Sequence, residues 1–193
     1  MQKPEVSDEE LIAGYLAGDH ARFEVLYMRY RKPVYSYLNR MIPGQPGVVD
    51  DIFQKTWIKV VNNLPRYQKK GSFLAWIISI ARNSAMDHFR REAREKKDAY
   101  DSNVDYDNSY NPWQDMENAE LAKLLPKLIE QLPADQKEVV LLRCQGVSFN
   151  EIAKIQDCSI NTALGRMHYA LNRLRKMVKS WQEKGEEVHH EST

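Results

Sequence analysis

Apolar residues recur at three- and four-residue spacing along almost the whole chain, and the recurrence lapses once, over residues 98–115. That spacing gathers side chains on one face of a helix, whereas a strand requires alternation. Alternating β-branched residues are scarce, as are glycine and proline at 8 each. The chain is therefore expected to be all-α, with one buried stripe per helix. The lapse divides it into two small helical domains.

Polar residues mark where the helices start. Ser7 with Glu10 forms a capping box ahead of LIAGYLAG. Asp19 opens a longer helix carrying Phe23, Leu26, Tyr27 and Tyr30, which Pro33 is expected to break or kink. After PGQPG at 43–47, the stretch VVDDIFQKTWIKVVNNL has apolar positions at 49, 52, 53, 57, 60 and 61. Ser72 opens a helix through Phe73, Trp76, Ile77, Ile80 and Ala81 into RREAREKK. Helical spacing returns in MENAELAKLLPKLIEQL and continues through ADQKEVVLLRCQG, SFNEIAKI and SINTALGRMHYALNRLRKMVKSW. The expected organisation is a domain at 1–95, a flexible acidic linker at 96–118, a second domain at 119–181 and a frayed, disordered tail at 182–193.

Charge follows the same division. The total is +1, from 28 Lys+Arg and 27 Asp+Glu. Residues 1–95 hold 15 basic and 11 acidic residues, while 96–118 hold 2 and 6. Residues 160–181 hold 5 basic residues and no acidic one. Near-neutrality is thus a sum of basic helical segments and an acidic connector, and it does not argue against nucleic acid.

Several function classes drop out. Two cysteines, Cys144 and Cys158, exclude a disulfide framework and suit a reducing cytoplasm. The acidic start MQKPEVSDEELIAGYL lacks the basic and apolar regions of a signal peptide. No apolar run approaches the roughly 18 residues of a membrane span, so a cytoplasmic protein is expected. His20, His88, His168, His189 and His190 stand at no metal-ligand spacing with the cysteines, and no phosphate-binding glycine loop occurs. Neither a metal, a cofactor nor an enzymatic activity is expected.

Residues 148–179 read as a helix-turn-helix. Ser148 caps a short helix with Ile152, Ala153 and Ile155, the break QDC follows, and Ser159 caps a longer helix. Small Ala153 suits close crossing of two helices. The second helix turns Ala163, Met167, Ala170, Leu171 and Leu174 inward. Its other face carries Ser159, Asn161, Thr162, Gly165, Arg166, His168, Tyr169, Asn172 and Arg173. Such a helix enters a major groove with its first turns on base edges, leaving Arg173, Arg175, Lys176 and Lys179 for phosphates. Taken alone, the pattern also fits a helical hairpin with a solvated basic face. Asp157 occupies the turn position where glycine is usual, and Asp tolerates left-handed angles better than most residues.

In the N-terminal domain, the loop PRYQKKGS sets Tyr67 among Arg66, Lys69 and Lys70. Cations beside an aromatic ring suit single-stranded nucleic acid. The following helix carries a polar stripe of Asn83, Asp87, Arg90 or Arg91, and Arg94, while Phe73 and Trp76 read as core. Asp50 and Asp51, with Gln54, Thr56 and Lys59, face away from the apolar positions. They read as solvated surface or as a protein-docking face.

Four stretches in order resemble bacterial RNA polymerase sigma factors of the extracytoplasmic-function type. GDHARFEVLYMRYRKPVYSYLNRM resembles the opening helix of the first sigma domain, and DDIFQKTWIKVV the core-polymerase-binding segment. GSFLAWIISIARNSAMDHFRREAR resembles the segment that melts promoters and reads the −10 element. LPADQKEVVLLRCQGVSFNEIAKIQDCSINTALGRMHYALNRLRK resembles the helix-turn-helix that reads the −35 element.

The resemblance implies docking of Asp50, Asp51, Phe53, Gln54 and Trp57 on the β′ clamp helices, with a further contact to the β flap. It implies a −10 element held as single strand near Arg66, Tyr67, Lys69, Lys70, Asn83, Asp87, Arg90 and Arg91. It also implies duplex contacts from Asn161 to Arg173, promoter DNA as the target, and an anti-sigma factor as a partner. The linker would span about 75 Å when extended, at roughly 3.3 Å per residue. In this family it follows the polymerase's basic RNA-exit path, where an acidic strand imitates RNA. Leu164, Tyr169 and Leu171 stand where the family commonly has basic residues, which leaves Arg166 as the leading groove contact. The competing reading is a stand-alone helix-turn-helix regulator with an N-terminal sensing or dimerisation domain.

Overall fold

A computed structural model describes residues 6–95 and 119–190, and these contain helices and no strand. The expected linker, 96–118, lies outside the described residues, as do 191–193. The chain divides into two compact units between Tyr110 and Asn111, within the segment where the helical period lapses.

The first unit comprises α1 (Asp8–Leu16), α2 (His20–Met41), α3 (Pro46–Asn63), a 3-10 turn (Leu64–Arg66) and α4 (Phe73–Glu95). α2 is its axis, packing against α1, α3 and α4. Leu26, Val34, Tyr37 and Leu38 of α2 are fully buried, together with Val49 and Val60 of α3 and Ile77, Ile78, Ala81 and Ala85 of α4. Each of the larger side chains contributes about 1.5–3 kcal/mol on leaving water. Pro33 does not break α2, which runs through it to Met41. The lost backbone bond is outweighed by burial on both sides, since Leu26 precedes the proline and Val34, Tyr37 and Leu38 follow it. Pro46 occupies the first turn of α3, where a missing N–H costs nothing.

α1 is fastened to this body by polar contacts. The predicted capping box forms, with Ser7 Oγ accepting from the Glu10 N–H at 3.3 Å. Asp8 receives Arg29 Nη1 and the Tyr30 hydroxyl, each at 2.5 Å. That contact and burial raise the Tyr30 phenol well above its ordinary range, burial being the larger cause. Glu9 pairs with Lys69 at 2.5 Å, tying α1 to the loop ahead of α4.

The second unit comprises α5 (Ala119–Glu130), α6 (Ala134–Cys144), α7 (Phe149–Ile155) and α8 (Ile160–His190). Leu128, Ile129, Leu132, Val140 and Leu141 meet Ala170 and Leu174 of α8 in one core. Ser148 and Glu151 close a capping box on α7. The α7–α8 turn is a Schellman motif: the Cys158 N–H donates to Ala153 O at 2.9 Å and the Asp157 N–H to Lys154 O at 3.3 Å. Asp157 takes the left-handed position, at φ 50°. The helix-turn-helix is thus present, with aspartate where the motif favours glycine. α8 also continues through 182–190, which the sequence reading assigned to a frayed tail. No proline intervenes there, and Gln182, Glu183, Lys184, Glu186 and Glu187 favour helix.

Two predictions follow from these contacts. Asp157→Gly removes the left-handed strain, offset in part by greater freedom of the unfolded chain. It is expected to stabilise the second unit by about 0.5–1 kcal/mol, read as a higher urea midpoint. The Glu9 carboxyl is held below its ordinary range, chiefly by the hydrogen bond from Lys69. A lowered carboxylate stabilises the fold above its unfolded pKa and ceases to do so as pH falls through the folded value. The α1–loop tie therefore persists at neutral pH and opens only in acid. A carbon-detected NMR titration of Glu9 should show the low midpoint, and Lys69→Met should raise it toward the ordinary range.

Candidate nucleic-acid and protein interfaces

Between the end of α3, the loop and the outer side of α4 lies a cleft of about 500 Å³. It gathers four of the residues expected at a single strand: Arg66, Tyr67, Lys70 and Asn83. Lys59, Asn63, Gln68, Trp76 and Ile80 complete its walls. Lys59 Nζ donates to Ser84 Oγ at 2.9 Å, which fixes its stem along the cleft.

Tyr67 is half-buried rather than a free platform, with its ring centroid 4.8 Å from Trp76 and 5.2 Å from Phe73. Phe73 is core, as expected. Trp76 is not wholly core: it is half-buried and presents part of its ring to the cleft. Helical spacing reports which side of α4 a residue occupies, but not that the loop stops short of covering it. Lys69 turns away to Glu9. Asp87 and Arg90 pair with each other at 3.1 Å, and with exposed Arg91 they stand outside the cleft lining.

The second surface lies on α3 and α2. Tyr27, Phe53, Trp57, Ile58 and Val61 line a largely apolar groove of about 490 Å³, with Gln54 and Asn62 supplying its amides. Tyr27 packs 4.9 Å from Trp57 and Tyr35 packs 5.2 Å from Phe53, both edge to face. Asp50 accepts from the Tyr35 hydroxyl at 2.7 Å, and Asp51 pairs with Lys55 one turn on. Trp57 is largely buried, and its indole N–H is buried without a hydrogen-bond partner. Ile58, at 54 % exposure, was absent from the expected docking set. Thr56 was placed on the outward stripe and is instead fully buried, its Oγ1 donating to Ile52 O at 2.7 Å. It continues the buried row of Val49, Ile52 and Val60, and the backbone bond makes its hydroxyl tolerable there.

On α8, Ser159 caps the helix, its Oγ accepting from the Thr162 N–H at 3.1 Å and lying 2.8 Å from Thr162 Oγ1. Asn161, Thr162, His168, Tyr169 and Arg173 are exposed on the outward side, as expected. A Cβ added at Gly165 would meet nothing within 4 Å, so no contact inside the chain requires glycine there. Asn172 donates to His168 Nε2 at 2.9 Å and accepts from Arg175 at 3.1 Å, aligning three side chains along the helix.

Arg166 is engaged from within. Its Nη1 donates to Gln156 Oε1 at 2.8 Å and its Nη2 lies 2.7 Å from Asp135 Oδ2. Gln156 is itself buried, donating to the buried Glu138 carboxylate at 2.8 Å and to Asp135 O at 3.0 Å. In the free chain Arg166, the expected leading groove contact, bridges α8, the turn and α6. Sequence distance hid this, because Asp135 and Glu138 precede Arg166 by most of two helices.

Among the described residues no group of His, Cys, Asp or Glu is placed to hold a metal, and no helix is long and apolar enough to cross a membrane.

Known proteins match both units in the same order. The sigma-70 region 2 family model matches residues 26–95, and that of sigma-70 region 4 matches residues 122–174. The first lies where a stand-alone regulator would carry a sensing or dimerisation domain. The "ECF RNA polymerase sigma-E factor" of Salmonella typhimurium is 28% identical over 176 residues, covering 86% of this chain and 91% of that protein. Its namesake in Haemophilus influenzae is 26% identical over 186 residues, covering 91% and 95%. In fold, the chain is similar to the sigma factor RpoE of Bartonella quintana, solved in complex with the anti-sigma factor NepR. That match has a TM-score of 0.64 at 21% identity and covers 81% of this chain and 96% of that one. On these two regions and full-length relatives, the chain belongs to the sigma-70 family and is a sigma factor of the extracytoplasmic-function type.

Proposed function

We propose that this sigma factor divides promoter recognition between its two units. The first docks on core RNA polymerase and holds the −10 element as single strand. The second reads the −35 element as duplex. The observation that carries this reading is the cleft that brings Arg66, Tyr67, Lys70, Trp76 and Asn83 together. Cations follow a phosphate backbone there, a ring offers a stacking surface, and an amide reads a base edge. Extruding a base costs a few kcal/mol, which such a pocket offsets. Arg90 and Arg91 lie farther along α4, where they would meet the flanking backbone, with Asp87 orienting Arg90.

Docking is assigned to the groove beside Phe53, Gln54 and Trp57, with Ile58 as its exposed apolar element and Asp50 and Asp51 at its rim. The duplex is assigned to Ser159, Asn161, Thr162, Gly165, His168, Tyr169 and Arg173, with Arg166 holding the helix in position. The β′ clamp helices and the β flap are the proposed polymerase contacts. An anti-sigma factor is the proposed regulator, competing for these same surfaces. The protein acts in the cytoplasm and performs no catalysis of its own.

Run-off transcription with core polymerase on genomic fragments tests the whole reading. Promoter-dependent transcripts are expected, and their absence across many fragments would refute it. Ile58→Glu places a charge in the docking groove without disturbing the core. It is expected to weaken core-polymerase binding about tenfold or more, measured by competition, with an unchanged circular dichroism spectrum. Tyr67→Ala is expected to lower affinity for a single-stranded −10 oligonucleotide by about 1–3 kcal/mol, the scale of one base–ring stack. Binding to a −35 duplex should be unaffected.

A further inference from the structure

We infer that the first turns of α8 read A·T pairs, through the amide of Asn161 and the apolar side chain of Leu164, and not guanine through arginine. The inference rests on the assignment of α8 to the −35 duplex and specifies which bases it takes.

Guanine is most often read by two parallel donors of an arginine or lysine. Between Ile160 and Leu171, Arg166 is the only arginine or lysine. Its guanidinium already donates to Gln156 and pairs with Asp135, on the flank of α8 that faces α6 and the turn. Gln156 is in turn anchored to buried Glu138. Releasing Arg166 to a base would strand the amide oxygen of buried Gln156. The next cations, Arg173, Arg175 and Lys176, come two turns later, at the place for phosphates.

What remains outward in the first turns has a different chemistry. Asn161 is exposed, and a carboxamide pairs with adenine through N6 and N7. Leu164 is 43 % exposed and Ile160 is 41 % exposed, although both stand on a helix whose apolar stripe faces elsewhere. The thymine methyl is the apolar feature of the major groove and the natural occupant for such side chains. Gly165 lies beside them with open space where a side chain would be, so the backbone can approach a base edge closely. The absence of any acidic residue over 160–181 suits that approach to DNA.

The test uses holoenzyme assembled from core polymerase and the full chain, on a promoter library randomised over the −35 element. Selected templates are expected to carry A·T pairs where the start of α8 docks. Replacing thymine by deoxyuridine in a selected −35 element removes only the methyl group. It should reduce open-complex formation about three- to fivefold at one or more positions, the scale of one buried methyl-sized group. Leu164→Ala should lower initiation on the thymine template and bring the thymine-to-uracil ratio to one. Asn161→Ala should relax the preference for adenine at a single position.

Selection of G·C pairs that relaxes with Arg166→Ala would overturn the inference. So would a thymine-to-uracil ratio of one at every position in the unaltered protein, or a ratio that survives Leu164→Ala. Initiation that proceeds from the −10 element with no dependence on any −35 sequence would remove the duplex assignment itself. That outcome is distinct from −35 dependence without methyl sensitivity, which removes the base assignment alone.

Discussion

Each helix of this protein must give one face to a core that only three or four neighbours share. Small helical units have no second layer to cover the remaining faces. In the first unit α2 packs against α1, α3 and α4, so most of its apolar side chains serve the core, while Tyr27 reaches the groove beside α3. α3 and α4 are enclosed on one side only. Their outer sides carry the apolar groove around Ile58 and the cleft around Tyr67. α8 is covered by α6 and α7 along one stripe, leaving Asn161, Leu164, His168 and Tyr169 outward. Exposed apolar side chains such as Ile58 and Leu164 sit on the faces that no intrachain neighbour covers. Their clustering marks those faces as places for partners.

Polar bracing then fixes how these faces are presented. Glu138, Gln156, Arg166 and Asp135 form a connected network across α6, the turn and α8. A buried carboxylate and amide are tolerable only because each is satisfied. The network does more to specify the angle of α8 than to stabilise the unit, since apolar residues would pack as well. Under the proposed reading it would also have a cost in recognition, since an arginine engaged as a brace is less available to a groove. The same logic holds in the first unit, where Lys69 ties the loop to α1 through Glu9 and leaves Arg66 and Lys70 to the cleft.

Much of this fold was legible in the sequence because helical periodicity and caps are local. Ser7, Asp19, Ser148 and Ser159 each cap the helix expected of them, and Asp157 adopts the left-handed turn. The cleft was half legible: Arg66, Tyr67, Lys70 and Asn83 converge as expected, but Lys59 and Asn63 come from the preceding helix and Trp76 from a position read as core. What stayed illegible depends on partners distant in sequence. Nothing near Arg166 announces its pairing with Asp135. Thr56 looked polar and outward, yet its place on the row of Ile52 and Val60 governs. Of the two effects expected of Pro33, the break does not occur, because burial on both sides of it holds α2 together.

These intrachain pairings change what the charge pattern means. Salt weakens DNA binding in proportion to the phosphates a protein neutralises, log K falling against log[salt] with a slope of about 0.9 per contact for duplex and 0.7 for single strand. A cation already paired with a carboxylate contributes less, because phosphate must first displace that partner. Lys69 is paired in the loop and Arg166 on α8. Arg175 differs, since its partner Asn172 is neutral and leaves its charge available to phosphate. Counting basic residues therefore overstates the electrostatic reach of both faces. On the proposed division of the promoter between the two units, fewer effective cations would shift discrimination toward stacking in the cleft and base-edge contacts along α8. Those contacts depend on the shape of the bases themselves, and they persist at salt concentrations that weaken phosphate binding.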